Sequence, residues 1–176
     1  MGLRPGRCYH KVKRPYTRVS KRKPRKSYVV GVPEPKIKRF EFGNVRGDFE
    51  VNVWLIAKKD MQIRHNALEA ARIILTKTLS KLGNENFFAK ILVYPHQVLR
   101  EHSLATGAGA DRFSSGMRKA FGRPIGKAAI TRKNQKLILV RVNKDGVKVA
   151  KEALKKAGSK LPTPVTILVE EKKAAA

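Results

Sequence analysis

The N-terminal segment carries a long run of positive charge with no acidic residue to balance it. Eleven Lys and Arg residues lie between Arg4 and Lys26, whereas the first acidic residue is Glu34. Prolines and further cations separate the few apolar residues, so burial cannot offset the entropy lost when this segment becomes ordered by itself. Such a segment needs either water and salt or a polyanion. Residues 1–35 are therefore expected to be an arm that becomes ordered on a nucleic acid. Its candidate RNA-binding cations are Arg4, Arg7, Lys11, Lys13, Arg14, Arg18, Lys21, Arg22, Lys23, Arg25 and Lys26.

The charge of the whole chain favours the same kind of partner. There are 40 basic and 13 acidic residues among 176, which gives a formal net charge of +27. Neutralising phosphates releases counterions and gives salt-sensitive affinity for nucleic acid. A membrane partner is not expected, because no stretch approaches the ~20 apolar residues of a spanning helix and no lipid-attachment motif is present. A single cysteine, Cys8, suits a reducing compartment and is read as passive.

Residues 36–170 are predicted to form one α+β domain. The segment 49–57 alternates between apolar and polar residues, which is typical of a strand with one solvated side. Helical spacing is clearest over 63–82, with either Asn66 as N-cap or an earlier start near Asp60 or Ile63, and it recurs over 145–157. These elements predict a two-layer sandwich, with both helices on one face of a mainly antiparallel sheet. The tail 171–176 is expected to fray. The other predicted strands are 36–42, 87–94, 165–169, and 127–132 with 135–142 as a hairpin around Lys133-Asn134.

A glycine-rich basic stretch between Leu99 and Ile130 breaks the apolar periodicity. A long connection inside a compact domain is either functional or disordered. Glycines permit positive φ and close approach to a ligand, while interleaved cations suit phosphates. The glycines match neither the Walker A loop nor a dinucleotide fingerprint, so mononucleotide binding is not expected. The cations expected to form a second basic surface are Arg100, Arg112, Arg118, Lys119, Arg123 and Lys127.

Catalytic and metal sites are poorly supported by the residues. No pair of the four histidines has zinc-finger spacing, and one cysteine excludes the common zinc sets, so no metal or cofactor is expected. His65 is expected to be exposed. An RNA-acting enzyme is the alternative, with Asp111 as its one candidate acid, although a turn or an ion pair that shapes the loop is the preferred explanation of that residue. A free RNA-binding regulator is a further alternative.

Five segments carry a resemblance to a known family. They are RPGRCYH near the start, ALEAARIILTK, VYPHQVLR, GADRFSSGMRKAFGRPIG, and KEALKKAGSKLPTPVTILV near the end. With these segments the chain, from about Arg4 to Val169, resembles the ribosomal protein family that includes protein ten-e of the archaeal and eukaryotic large subunit. Its bacterial counterpart is large-subunit protein sixteen.

The resemblance implies a non-enzymatic, cytoplasmic constituent of the large ribosomal subunit. Its implied partners are large-subunit ribosomal RNA, tRNA in the aminoacyl and peptidyl sites, and neighbouring ribosomal proteins. It also implies that an internal loop reaches toward the peptidyl-transferase centre and is sensed during subunit maturation. The string GRPIG has Ile125 where family members often carry His, so a contact of that imidazole is not carried over. The implied loop residues are His102, Ser103, Leu104, Ala105, Thr106, Gly107, Ala108, Gly109, Ala110, Asp111, Arg112, Phe113, Ser114 and Ser115.

Overall fold

The computed structural model describes residues 4–9, 11–12, 14–105 and 107–171, and places eight strands and three α-helices in this part of the chain. This part also contains four short 3-10 turns: two lie in the arm, Ser80–Leu82 follows the first long helix, and the fourth precedes the last helix. The strands are β1 Glu41–Gly43, β2 Val51–Ala57, β3 Met61–Arg64, β4 Phe87–Ile91, β5 Gln97–Glu101, β6 Arg123–Thr131, β7 Lys136–Val142 and β8 Val165–Glu171. The helices are α1 His65–Leu79, α2 Ala110–Phe113 and α3 Val147–Gly158.

The strands divide between two antiparallel sheets. The larger has five strands in the order β1-β4-β7-β2-β8, and the smaller has three in the order β3-β6-β5. In the larger sheet Val53 lies opposite Val140 of β7 and Val169 of β8. In the smaller sheet Ile63 pairs with Ala129, and Val98 pairs with Lys127. The smaller sheet therefore lies at the base of the glycine-rich stretch.

Both long helices cover one face of the five-stranded sheet. The inward residues of β2, among them Val53 and Leu55, join one buried cluster with Leu75 of α1 and Leu154 of α3. Alternation along β2 is complete, because every second residue from Val51 to Ala57 is buried. A shared apolar layer of this kind fixes the two helices against the sheet. The predicted α+β sandwich with both helices on one face is confirmed.

Several details of the sequence prediction are wrong. Segments β6 and β7 do not form a hairpin, since they belong to different sheets and the chain crosses between the sheets at Asn134, where φ is 64°. Helix α1 begins at His65 directly after β3, so Asn66 is not the N-cap. The short strands β3 and β5 were not expected. The strand predicted over 36–42 begins only at Glu41.

Strand β8 extends into the predicted C-terminal tail. Of the predicted tail, Glu171 ends β8 and residues 172–176 lie outside the described residues. Within the described ranges, no helix is both long enough and apolar enough to cross a bilayer.

Candidate nucleic-acid interface

The basic arm lies against the small sheet and is held there by two buried glutamines. Gln97 of β5 is 3% exposed, and its Oε1 accepts a hydrogen bond from the backbone N–H of Tyr16 at 2.7 Å. Its Nε2 donates to the carbonyl oxygen of Arg14 at 3.2 Å. Gln62 of β3 is 7% exposed and donates from Nε2 to the carbonyl oxygen of Lys11 at 3.1 Å. Because these bonds engage the backbone, they leave the exposed side chains of Lys11 and Arg14 available to another molecule.

The start of the arm is fixed by charged side chains. Arg64 donates from Nη1 to the carbonyl oxygen of Arg4 at 2.8 Å and lies over the Tyr9 ring. Arg4 forms an ion pair with Glu101 of β5, and this hydrogen-bonded carboxylate raises the pKa of the Arg4 guanidinium. Burial, and secondarily the charge of Glu101, raises the pKa of the Tyr9 phenol. The arm is thus anchored at its first described residues as well as at its middle.

Three aromatic rings join the arm to the end of the glycine-rich stretch. Tyr16 lies 5.5 Å from both Tyr28 and Phe121 between ring centroids, in edge-to-face arrangements. Arg100 lies over Phe121, with 4.2 Å from its guanidinium carbon to the ring centroid. Such aromatic and cation–π contacts favour one relative placement of the arm and the stretch.

Arg100 forms contacts within the protein rather than on its solvent-facing surface. It is half-buried and donates hydrogen bonds to the carbonyl oxygens of Tyr28 and Gly122, both at 3.1 Å. Gly122 has φ of +75°, and a Cβ there would lie 2.6 Å from the carbonyl carbon and oxygen of Glu101. The sharp return into β6 therefore requires glycine, and Arg100 ties that return to the arm.

The remaining arm cations are exposed. Between Arg18 and Tyr28 the chain folds back on itself, because the Tyr28 N–H donates to the Arg18 carbonyl oxygen at 2.9 Å. Within the described residues, Arg4 is the one arm cation that has a carboxylate partner. Lys13 lies outside the described residues. The exposed cations of the arm are Arg4, Arg7, Lys11, Arg14, Arg18, Lys21, Arg22, Lys23, Arg25 and Lys26.

The predicted loop 102–115 lies in the connection between β5 and β6 of the small sheet. Its base is closed by a 2.8 Å hydrogen bond between the His102 ring and the carbonyl oxygen of Gly116. The short helix α2 lies inside the loop, and its Phe113 is 88% exposed. Asp111 is exposed in the same helix. Thr106 lies outside the described residues. An exposed aromatic ring on a braced loop is available to a partner rather than to the core.

The second set of predicted cations flanks this loop. Arg112, Arg118, Lys119 and Arg123 are exposed, and Lys127 is half-buried in β6. Arg123 lies opposite Glu101 in the small sheet. The structure therefore brings the arm, the loop and most predicted cations to one small sheet. It removes Arg100 from the solvent-facing group.

Sequence reasoning missed the groups that organise this surface. Gln62, Gln97 and Arg64 were not among the candidate residues, although the alternation of Met61-Gln62-Ile63-Arg64 is a weak strand signal. His65 was expected to be exposed but is half-buried, and its Nδ1 accepts a hydrogen bond from the Lys36 N–H at 3.0 Å. In the described part of the chain no cluster of three His, Cys, Asp or Glu residues is arranged to hold a metal ion.

A cationic arm clamped across a small sheet, beside a braced and exposed loop, is typical of proteins that assemble with a large polyanion. Comparison with known proteins shows to which family within this class the chain is similar. The family model described as ribosomal protein L16p/L10e matches residues 16–168. The chain belongs to this family of structural ribosomal proteins. The expectation that it is not an enzyme is confirmed by that membership.

Individual relatives resemble the chain over nearly its whole length. A protein of Staphylothermus marinus named large ribosomal subunit protein uL16 is 51% identical over 170 residues, which cover 96% of this chain and 94% of that protein. The protein of the same name from Sulfolobus acidocaldarius is 50% identical and covers 100% of this chain and 99% of its own length. That of Archaeoglobus fulgidus is 44% identical over 97% of this chain and 95% of its own length.

Proposed function

We propose that the chain is a structural constituent of the large ribosomal subunit in the cytoplasm, where it binds large-subunit ribosomal RNA beside the aminoacyl-tRNA site. The arm and the cations beside the loop are the RNA-binding surface. The observation that carries this proposal is the backbone clamp of Gln62 and Gln97, which presents a row of exposed, mostly unpaired cations along one sheet. Relatives named large ribosomal subunit protein uL16 support the assignment to the large subunit.

The finer part of the proposal concerns the loop. Residues 102–115 point toward the peptidyl-transferase centre and help to position tRNA in the aminoacyl and peptidyl sites, and the loop is sensed during subunit maturation. Its exposed Phe113 and its hydrogen-bonded base support a loop that keeps its shape while reaching outward. Phosphate contacts by the arm position the protein without reading sequence, so RNA shape and single-stranded elements supply most of the specificity.

The first test removes charge from the exposed turn of the arm. In the variant Lys21→Gln, Arg22→Gln, Lys23→Gln, we expect the salt dependence of RNA binding to weaken, because each lost phosphate contact removes ~0.7 to 0.9 from the slope of log K against log salt. The measurement is a filter-binding titration of large-subunit ribosomal RNA between low and moderate salt. The matched control removes three exposed cations of α3, with Lys148→Gln, Lys151→Gln and Lys155→Gln. Equal slopes for the two variants would contradict the role of the arm.

The second test shortens the loop. Replacing residues 104–114 by a short Gly-Ser linker leaves the hydrogen bond between His102 and Gly116 in place. We expect RNA affinity to stay within about twofold, because phosphate contacts supply most of it, while polysomes decline in cells that depend on this variant. A Gly-Ser replacement of the original length separates loop reach from loop sequence. Normal polysomes with the shortened loop would refute the role in tRNA positioning.

A further inference from the structure

A cavity of about 620 Å³ lies between the arm and the small sheet. Strand β5 lines it with consecutive residues from Gln97 to Arg100, Gln62 lines it from β3, and the arm lines it from the other side. This volume falls within the range of ~300 to 1,000 Å³ that is typical of small-molecule sites. None of the described functions of the arm needs such a space.

The polar atoms that lack partners are concentrated in this cavity. In the described part of the chain, three buried side-chain polar atoms have no hydrogen-bond partner: Tyr9 Oη, Gln62 Oε1 and Arg100 Nε. All three residues line the same cavity. Buried polar groups are nearly always satisfied, so a cluster of three exceptions at one place indicates that a further group, either a ligand or ordered water, is bound there.

The orientation of the Gln62 amide is fixed by the arm. Its Nε2 donates to the carbonyl oxygen of Lys11, which cannot itself donate, so the nitrogen must face the arm backbone. The oxygen Oε1 is therefore an acceptor in need of an N–H or O–H donor. Arg100 complements it, because Nε is a donor whose neighbouring Nη1 and Nη2 are already engaged with Gly122 and Tyr28. With Tyr9 Oη, which can donate or accept, the residues that line the cavity offer one acceptor, one donor and one group of either kind.

The charges and aromatic rings that line the cavity indicate which kind of ligand it can bind. The described residues lining the cavity include the cations Arg7, Lys11, Arg14 and Arg100 and no Asp or Glu. They also include Tyr16 and Phe121 of the aromatic cluster. A nucleotide combines the features that these groups would accept: a phosphate for the cations, a flat base for the rings, and a base edge that both donates and accepts hydrogen bonds.

We infer that this cavity receives one unstacked nucleotide of the bound RNA. Its base packs against Tyr16 and Phe121, an N–H of the base edge donates to Gln62 Oε1, and an acceptor on that edge receives Arg100 Nε–H. The phosphate lies among Arg7, Lys11 and Arg14. The inference rests on the proposed RNA-binding function and adds to it a specific seat for a base. Ordered water is the competing occupant, since water also satisfies buried polar atoms.

The first experiment uses the unchanged full-length chain bound to large-subunit ribosomal RNA. Short-wavelength ultraviolet light joins bases to residues in direct contact, and mass spectrometry after digestion locates the nucleotide adduct on the protein. We expect an adduct on a peptide that carries Tyr9, Tyr16 or Phe121. Adducts restricted to the exposed turn 18–26 and to the loop 102–115 would overturn the inference while leaving RNA binding intact.

The second experiment compares the two glutamines that hold the arm. Gln97→Leu removes two hydrogen bonds to the arm, whereas Gln62→Leu removes one such bond and also the free acceptor in the cavity. If Gln62 serves only to hold the arm, Gln97→Leu weakens RNA binding at least as much. A base in the cavity instead makes the loss of RNA affinity in Gln62→Leu exceed, by roughly two- to tenfold for one lost hydrogen bond, the loss that Gln97→Leu shows for the same increase in tryptic cleavage of the arm. A loss in Gln62→Leu that is no larger than this would contradict the base contact.

Competition with free nucleotides distinguishes a nucleotide of the bound RNA from a free nucleotide as the ligand of the cavity. Adenosine and cytidine 5′-monophosphates are titrated against the complex, with ribose 5-phosphate as the control that lacks a base. If a nucleotide of the bound RNA fills the cavity, the ultraviolet-induced adduct at the cavity should persist in the presence of micromolar mononucleotide. Loss of the adduct at that concentration would assign the cavity to a free nucleotide and overturn the inference. Failure of the full chain to bind the RNA at all would remove the proposed function together with the inference.

Discussion

At the scale of single residues, His65 shows how the junction of β3 and α1 constrains an ionisable group. Its Nδ1 accepts the Lys36 N–H, and a Cβ at Gly126 would lie 2.9 Å from its Nε2. Burial, followed by the charges of Lys36, Arg64 and Lys127, lowers the pKa of the ring. A protonated ring would lose its acceptor nitrogen and face three cations. The neutral form is therefore the one that fits the folded chain.

A pH dependence of stability follows from His65. Because the pKa is lower in the folded than in the unfolded chain, the unfolded chain binds the proton more readily below its pKa of ~6.5. We expect the free energy of unfolding to fall as pH drops through that range and to be insensitive to this group above it. Urea denaturation between pH 5 and 8 measures the trend, and His65→Asn should flatten it. The exposed-site variant His96→Gln is the control. If the free energy of unfolding of His65→Asn falls with pH as steeply as that of the unchanged chain, His65 is not the source of the trend.

At the scale of secondary-structure elements, the clamp of the arm depends on the short strands β3 and β5. Each of these strands supplies one buried glutamine to the backbone of the arm. Gln97 engages both Arg14 and Tyr16, so it fixes two points of the arm with one side chain. Losing this residue frees the arm without disturbing the five-stranded sheet.

Proteolysis tests that clamp. In Gln97→Leu we expect tryptic cleavage after Lys11 and Arg18 to be severalfold faster, because cleavage tracks the population in which the segment has opened locally. Limited digestion followed by mass spectrometry gives the rates. The control is Gln135→Leu, whose side-chain oxygen accepts a hydrogen bond from the Arg132 N–H in the turn between β6 and β7 and makes no hydrogen bond to the arm among the described residues. If both variants are cut in the arm at the rate of the unchanged chain, the clamp does not hold it.

Long periodic elements were predictable from the sequence, and short ones were not. The strand predicted from the alternation over Val51–Ala57 and the helices predicted from the spacing in α1 and α3 are present in the structure, because each buries one continuous face. The four residues of β3 are too few for a period to show, and β3 runs straight into α1. The expected hairpin failed because neighbouring strands in sequence need not share a sheet, and a positive φ at Asn134 turns the chain into the other sheet.

The candidate surface was predictable in its charge but not in its construction. A run of cations without acids is visible in any sequence, and so is a glycine-rich basic stretch. Docking of the arm on the small sheet depends on contacts across large sequence separations, such as Gln62 to Lys11 and Gln97 to Arg14. The sequence expectation treated Arg100 as a solvent-facing cation, yet it is engaged with Gly122 and Tyr28. Pairings of that kind have no local signature.

At the scale of the whole molecule, the net charge opposes the compact state. With 40 basic and 13 acidic residues, the folded chain holds its excess cations closer together than the unfolded chain does. Self-repulsion of this size destabilises a folded protein and is relieved by counterions or by a polyanion. The same surface that suits RNA therefore makes the isolated protein sensitive to its ionic surroundings.

This argument predicts that salt stabilises the free protein. Raising sodium chloride from about 0.05 to 0.5 M shortens the Debye length from roughly 14 to 4 Å, so we expect the midpoint of thermal unfolding to rise by several degrees. A short RNA at micromolar concentration should give a similar rise in low salt, because binding to the folded state alone stabilises it. Circular dichroism at a helix wavelength measures both. The triple arm variant Lys21→Gln, Arg22→Gln, Lys23→Gln should respond less to salt, and a midpoint that is flat or falls with salt would show that charge repulsion does not limit the stability of this fold.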